Sequence, residues 1–226
     1  MKSEAPILRH GVTERMVHWV IAIVFTFLFL SGLALFHPVF FWLAGFFGGG
    51  PFMRWLHPVA GVILSAAFAW YAAKLVRDNR WLPADSAWVE NMWRYMRKEH
   101  EPADTHKYNA GQKMMYWSMV PIIGILFLTG IVLWQPAFAF DAASRATFGA
   151  GLRRFAGLAH AACAFVMFIG IGVHVYAAFW TKGSIRSMVR GTVSAAWARF
   201  HHPAWYREVS GGGAEAPERA RAQGGR

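Results

Sequence analysis

Cysteine is almost absent from this chain: in 226 residues there is only Cys163. A single thiol excludes an intrachain disulfide, a cysteine-rich zinc site, an iron–sulfur cluster and the paired-cysteine attachment of a c-type haem. Cys163 itself reads as a small apolar helix residue. Charge is also scarce, at 15% against 56% hydrophobic residues. That is the balance of a membrane protein. The scarcest charge is the acidic one, with 12 Asp and Glu against 23 Lys and Arg and a net charge of +11. In a soluble protein such an excess would suggest nucleic acid. Here it is better explained by topology, because the basic residues are unevenly placed.

Four apolar runs, near Val17–Phe36, Arg54–Val76, Met114–Trp134 and Leu152–Trp180, are each long enough to cross a hydrocarbon core about 30 Å thick. The last is longer than needed and should tilt or protrude. The first is too long for a signal peptide, and its cleavage would discard a candidate ligand. The expected fold is all-α: a four-transmembrane-helix bundle over residues 1–208. A Gly-, Ala- and charge-rich tail over 209–226 is expected to be disordered. Of the 23 Lys and Arg, all but Arg54, Arg145, Arg153 and Arg154 fall in the two ends and the middle segment Lys74–Lys113. The positive-inside rule therefore puts both termini and the Arg77–Lys113 loop in the cytoplasm. The short loops around His37–Met53 and Gln135–Gly151 face the other side.

Between the runs, His37-Pro38 and Gly48–Pro51 read as a turn. A second helix starting near Arg54 would hold Pro58 in its first turn, with His57 at the outer end. Ala87–Lys98 mixes Trp88, Met92, Trp93 and Tyr95 with charges and suits a helix lying in the membrane interface. In Lys107–Lys113, Asn109 reads as a helix cap. The same cluster places amide donors, Gly111 and a lysine beside an apolar pocket. Pro121 and Gly124 suggest a kink or a close contact in the third helix.

The chemistry-bearing residues are histidines. His160 and His174 lie fourteen residues apart in one apolar run. An α-helix turns the second side chain back to within roughly 40° of the first and raises it about 21 Å. Two imidazoles that far apart serve two centres, not one. By depth, His18 pairs with His174 at the inner level and His57 with His160 at the outer level. Two facing neutral imidazoles suit bis-histidine ligation of a b-type haem, so the four residues read as axial ligands of two haems. Taken singly, such a histidine equally serves as a hydrogen-bonding group between helices. Gly32 and Gly61 fall on the ligand faces, where the lack of a side chain admits a flat group. Tight helix packing explains such glycines as well. His10, His37, His100, His106, His201 and His202 read as solvated or interfacial.

Three stretches are more specific than the dihaem pattern: residues 107–115 (KYNAGQKMM), 178–185 (AFWTKGSI) and 201–208 (HHPAWYRE). Through them the chain resembles, from about Arg9 to Glu208, the γ subunit of membrane-bound respiratory formate dehydrogenase, a dihaem cytochrome b. The resemblance implies a place in the bacterial inner membrane. It implies a catalytic α subunit with molybdenum or tungsten and an iron–sulfur β subunit on the outer side. Electrons would enter at the outer haem (His57, His160), pass to the inner haem (His18, His174) and reach menaquinone or ubiquinone at the cytoplasmic face. The quinone would lie near Asn109, Gly111 and Gln112, with His174 adjoining. The formate chemistry itself is not encoded in this chain. Two other readings remain: a dihaem cytochrome b serving another oxidoreductase, such as a hydrogenase, and a transporter or anchor whose histidines bind protons or zinc.

Overall fold

Each long helix begins before its apolar run does. In a computed structural model that describes residues 5–97, 104–134 and 148–211, α1 spans Val12–Phe36 and α2 spans Gly50–Leu75. Two short helices follow, α3 (Pro83–Glu90) and α4 (Met92–Met96). The remaining long helices are α5 (Ala110–Leu133) and α6 (Ala150–Trp180). All four long helices are apolar enough to cross a membrane. The early starts have local causes, because backbone groups and not hydropathy decide where a helix opens. Gly11 is extended and Glu14 lies in the first turn of α1, where a negative charge is favourable. Gly48 and Gly49 take positive φ and Pro51 sits at the head of α2. Pro58 is therefore the ninth residue of α2 and stands inside the helix, not in its first turn as expected. His18 is likewise the seventh residue of α1, nearly two turns in.

The outer connection is more than a turn. Pro38–Phe47 forms a 3-10 helix, capped where His37 Nδ1 accepts from the Val39 N–H. It packs on α1 through Leu43 and Ala44, which form a small core with Ala34 and Met53. Residues 135–147 of the other outer loop lie outside the described residues. The interfacial segment expected over Ala87–Lys98 is two helices broken at Asn91, and it starts earlier, at Pro83.

After α6 the expected domain continues through α7 (Ser184–Arg190), β2 (Thr192–Val193), α8 (Ala195–His201) and α9 (Pro203–Val209), which ends at the first residue of the expected tail. The rest of the expected tail, from residue 212, lies outside the described residues. β2 pairs antiparallel with β1 (Ile7–Leu8), matching Ile7 to Val193 and Leu8 to Thr192. The segment before α1 and the segment after α7 are thereby tied to each other.

In the bundle, α1 packs on α2, α5 on α6, and α2 on α5, whereas α1 and α6 touch sparingly. The midplane core is Leu64, Met119, Ile123 and Met167, flanked by Phe25, Leu28 and Ile171 among others. It fills the level between the inner and outer histidines. Exposed tryptophans stand at both ends of the long helices, Trp42 and Trp55 at one and Trp19, Trp70, Trp117 and Trp180 at the other. Tryptophan is enriched in this way at the two interfaces of membrane-spanning bundles.

Candidate functional site

The structure brings together the histidine pairs that depth selects. The His18 and His174 rings have centroids 6.3 Å apart, and His57 and His160 have centroids 6.4 Å apart. Centroids about 6 Å apart leave room for one metal ion between two imidazole nitrogens at about 2.0–2.1 Å from each. Each pair could therefore hold one ion between its two rings. Among the described residues no three His, Cys, Asp or Glu side chains converge.

The outer pair is held by hydroxyls. Ser31 Oγ lies 2.8 Å from His57 Nδ1, and Thr129 Oγ1 lies 2.9 Å from His160 Nδ1. Each hydroxyl already donates its proton to its own helix, Ser31 to the Leu28 carbonyl and Thr129 to the Ile125 carbonyl. The remaining role of each oxygen is to accept, so each Nδ1 carries the proton and each Nε2 keeps a free lone pair. That is the tautomer a metal needs. A Cβ on Gly32 would stand 3.5 Å from His57 Cε1, and one on Gly130 would stand 3.5 Å from His160 Cε1. A Cβ on Gly61 would meet nothing within 4 Å. At the inner level, His18 Nδ1 is buried with no hydrogen-bond partner among the described residues. At the outer level, paired imidazoles with Nε2 left free and glycine beside each ring fit a flat iron macrocycle; at the inner level the fit rests on the paired imidazoles.

Sequence reasoning missed Ser31, Thr129 and Gly130. The signal was present: a hydroxyl residue followed by glycine, inside the apolar run that precedes each outer histidine's helix.

The Asn109–Lys113 cluster opens α5 with a reciprocal cap. The Asn109 side-chain oxygen accepts from the Gln112 N–H, and the Gln112 side-chain oxygen accepts from the Asn109 N–H, both at 3.0 Å. This uses the acceptors and leaves both NH₂ groups as donors. A Cβ on Gly111 would come within 3.3 Å of the Trp88 ring, so glycine is what lets α3 approach α5. A Cβ on Gly124 would meet nothing within 4 Å, and Pro121 stands inside α5, so of the expected kink or close contact the second is not seen at Gly124. Lys113 is buried, and its Nζ donates to Asp85 Oδ2 at 2.7 Å and to the Arg80 carbonyl at 2.9 Å.

Around this cluster the N-terminal arm and the tail form a cap centred on Arg9. Its guanidinium donates to the Lys107 carbonyl at 2.6 Å and to His202 Nε2 at 3.1 Å. It also stacks over Tyr108, Trp197 and Trp205. His202 Nδ1 in turn donates to the His106 carbonyl at 2.7 Å. Burial lowers the Arg9 pKa to about 10, which leaves it charged at neutral pH. Burial, aided by Arg9, pushes His10 down to about 4 and His202 further down. These two histidines are 5% and 2% exposed, so of the expectation that they are solvated or interfacial the first alternative fails. The arm and tail close over them, a tertiary event with no local signal. Gly191 makes the closure possible. Its φ is +82°, its carbonyl accepts from the Arg9 and His10 N–H groups, and a Cβ there would stand 2.8 Å from the His10 oxygen.

Comparison with known proteins gives the family. Residues 9–191 match the prokaryotic cytochrome b561 family. The chain is 38% identical over 210 residues to the cytochrome b556 subunit of the nitrate-inducible formate dehydrogenase of Escherichia coli K12, covering 92% of this chain and 94% of that one. It is 38% identical over 211 residues to the formate dehydrogenase cytochrome b556 subunit of Haemophilus influenzae, covering 92% and 85%. A second formate dehydrogenase cytochrome b556 subunit of Escherichia coli K12 is 37% identical over 215 residues, covering 92% and 96%. A multi-pass membrane chain with paired intramembrane histidines, matched over four fifths of its length, this protein belongs to the prokaryotic cytochrome b561 family.

Proposed function

We propose that this chain is the dihaem cytochrome b subunit of a respiratory formate dehydrogenase in the bacterial inner membrane, with both termini cytoplasmic. The observation that carries the reading is the pair of imidazole couples, each with room for one ion between its two rings, about 21 Å apart along α6. Formate as the ultimate donor rests on the names of the relatives. The partners would be an iron–sulfur subunit and a molybdenum- or tungsten-containing catalytic subunit on the outer side.

Two haem b groups held by His57/His160 and His18/His174 would supply one-electron carriers at two depths. The chain's own contribution is orientation and exclusion. Ser31 and Thr129 fix the outer imidazoles, Gly32 and Gly61 keep side chains off the flat faces, and the Leu64–Met167 core keeps water from the midplane. At the cytoplasmic end the free NH₂ groups of Asn109 and Gln112 are donors for the carbonyl oxygens of menaquinone or ubiquinone, with Gly111 and His174 completing the site. An electron moving inward works against about 2.3 kcal/mol per 100 mV. Protons drawn from the cytoplasm by the reduced quinone therefore conserve that work as a proton-motive force.

Deleting this chain should abolish formate-driven quinone reduction in membranes while formate oxidation by an artificial dye persists. Quinone reduction that survives the deletion would refute the proposal.

A further inference from the structure

The two histidine pairs differ in one respect that bears on the direction of electron flow. Both outer imidazoles donate Nδ1–H to a hydroxyl oxygen, at 2.8 Å to Ser31 and 2.9 Å to Thr129. Each hydroxyl donates onward to a main-chain carbonyl, which polarises its oxygen and makes it a better acceptor. At the inner pair, His18 Nδ1 is buried and unpartnered among the described residues. A hydrogen bond from Nδ1–H raises the basicity of the opposite ring nitrogen. A more basic axial ligand stabilises ferric over ferrous iron and so lowers the reduction potential.

On the dihaem reading above, we infer that Ser31 and Thr129 are positioning residues that set the outer haem below the inner one in potential, so that electrons run downhill towards the cytoplasm. An arginine stands three residues before a histidine of each level, Arg15 before His18 and Arg54 before His57, so that charge is common to both. The hydroxyl–glycine order repeats in α1 and α5, Ser31-Gly32 against His57 and Thr129-Gly130 against His160, so both ligands of one haem receive the same treatment.

The test is a redox titration of the intact complex in membranes, with haem counted per chain. Ser31→Ala and Thr129→Val should each raise the lower of two midpoint potentials and leave the higher unmoved. The double variant should shift the one-electron reduction constant on the order of tenfold, about 59 mV. Ser31→Thr and Thr129→Ser, which keep the acceptor, should restore the wild-type value. Two haems with both potentials unmoved, or movement of the higher one, would overturn the inference alone. If the Ala and Val variants lose the outer haem, the conservative pair decides. Two haems at wild-type potentials in that pair support the bond, and a raised lower potential overturns it. Fewer than two haems in the wild-type chain would overturn the dihaem reading and this inference with it.

Discussion

Replacing Lys113 by methionine perturbs a buried ion pair and, through it, the seat proposed for quinone. Lys113 and Asp85 are 1% and 2% exposed, and Nζ lies 2.7 Å from Asp85 Oδ2. The same oxygen accepts from the Leu82 N–H at 2.7 Å, closing the first turn of α3. Without the ammonium, Asp85 is left as an uncompensated buried carboxylate, and the Arg80 carbonyl loses its donor as well. Removing one partner of such a pair costs about 3–5 kcal/mol. Both groups are dry, so solvent screening does not reduce that figure. Because the loss falls on the α3–α5 contact and not on the histidines, Lys113→Met should keep its haem while its unfolding midpoint and its quinone reduction both fall. Adding Asp85→Asn should return most of the stability, since the amide oxygen still accepts from Leu82 without carrying a charge. Unfolding of the purified complex, followed with haem content, completes the double-mutant cycle. The reasoning is refuted if Lys113→Met is as stable as wild type, or if the two substitutions add as independent losses.

His160→Ala should lose the outer haem and keep the inner, halving haem per chain; equal loss of both would break the pairing by depth. Asn109→Ser separates capping from quinone binding, because serine still accepts from the Gln112 N–H but has no NH₂ to offer. Stability and haem should hold while the Michaelis constant for quinone rises, and unchanged kinetics would remove Asn109 from the site. The cap should loosen in acid. His10 and His202 bind a proton less readily when folded than at the ordinary histidine pKa of about 6.5, so the unfolded state takes up more protons below that value. Their stabilisation is complete above about pH 6.5 and is lost as pH falls towards 4, to the extent of about 3 kcal/mol for His10. Protection of the Arg9 and Gly191 amides, taken relative to intrinsic exchange at each pH, should fall between pH 7 and 5, whereas unchanged protection would mean that these histidines are not buried neutral.

The membrane spans and the histidine pairs were legible because their signals are periodic and local. Hydropathy marks a span wherever it folds, and a fourteen-residue spacing returns to one helix face without help from the rest of the chain. Helix starts were less so. Gly48 and Gly49 open α2 a full turn before the apolar run, which moved Pro58 from the first turn to the interior. The Asn109 cap was readable because capping needs only the side chain and the next three residues. The Arg9 cap was not, since it joins the arm, residues 105–108 and the tail across nearly two hundred positions. Ser31 and Thr129 lie between these cases. Each is locally an ordinary helix hydroxyl donating to its own backbone, and only the neighbouring helix turns it into a histidine partner.

The central claim is that this chain carries two haems. The haem-to-protein ratio of the purified subunit, with a reduced-minus-oxidised spectrum, tests it most directly. The account requires two b-type haems per chain, reduced to one by His57→Ala or His160→Ala. A folded wild-type chain with one haem would contradict the assignment of one of the two pairs, and a folded chain with none would contradict the account as a whole.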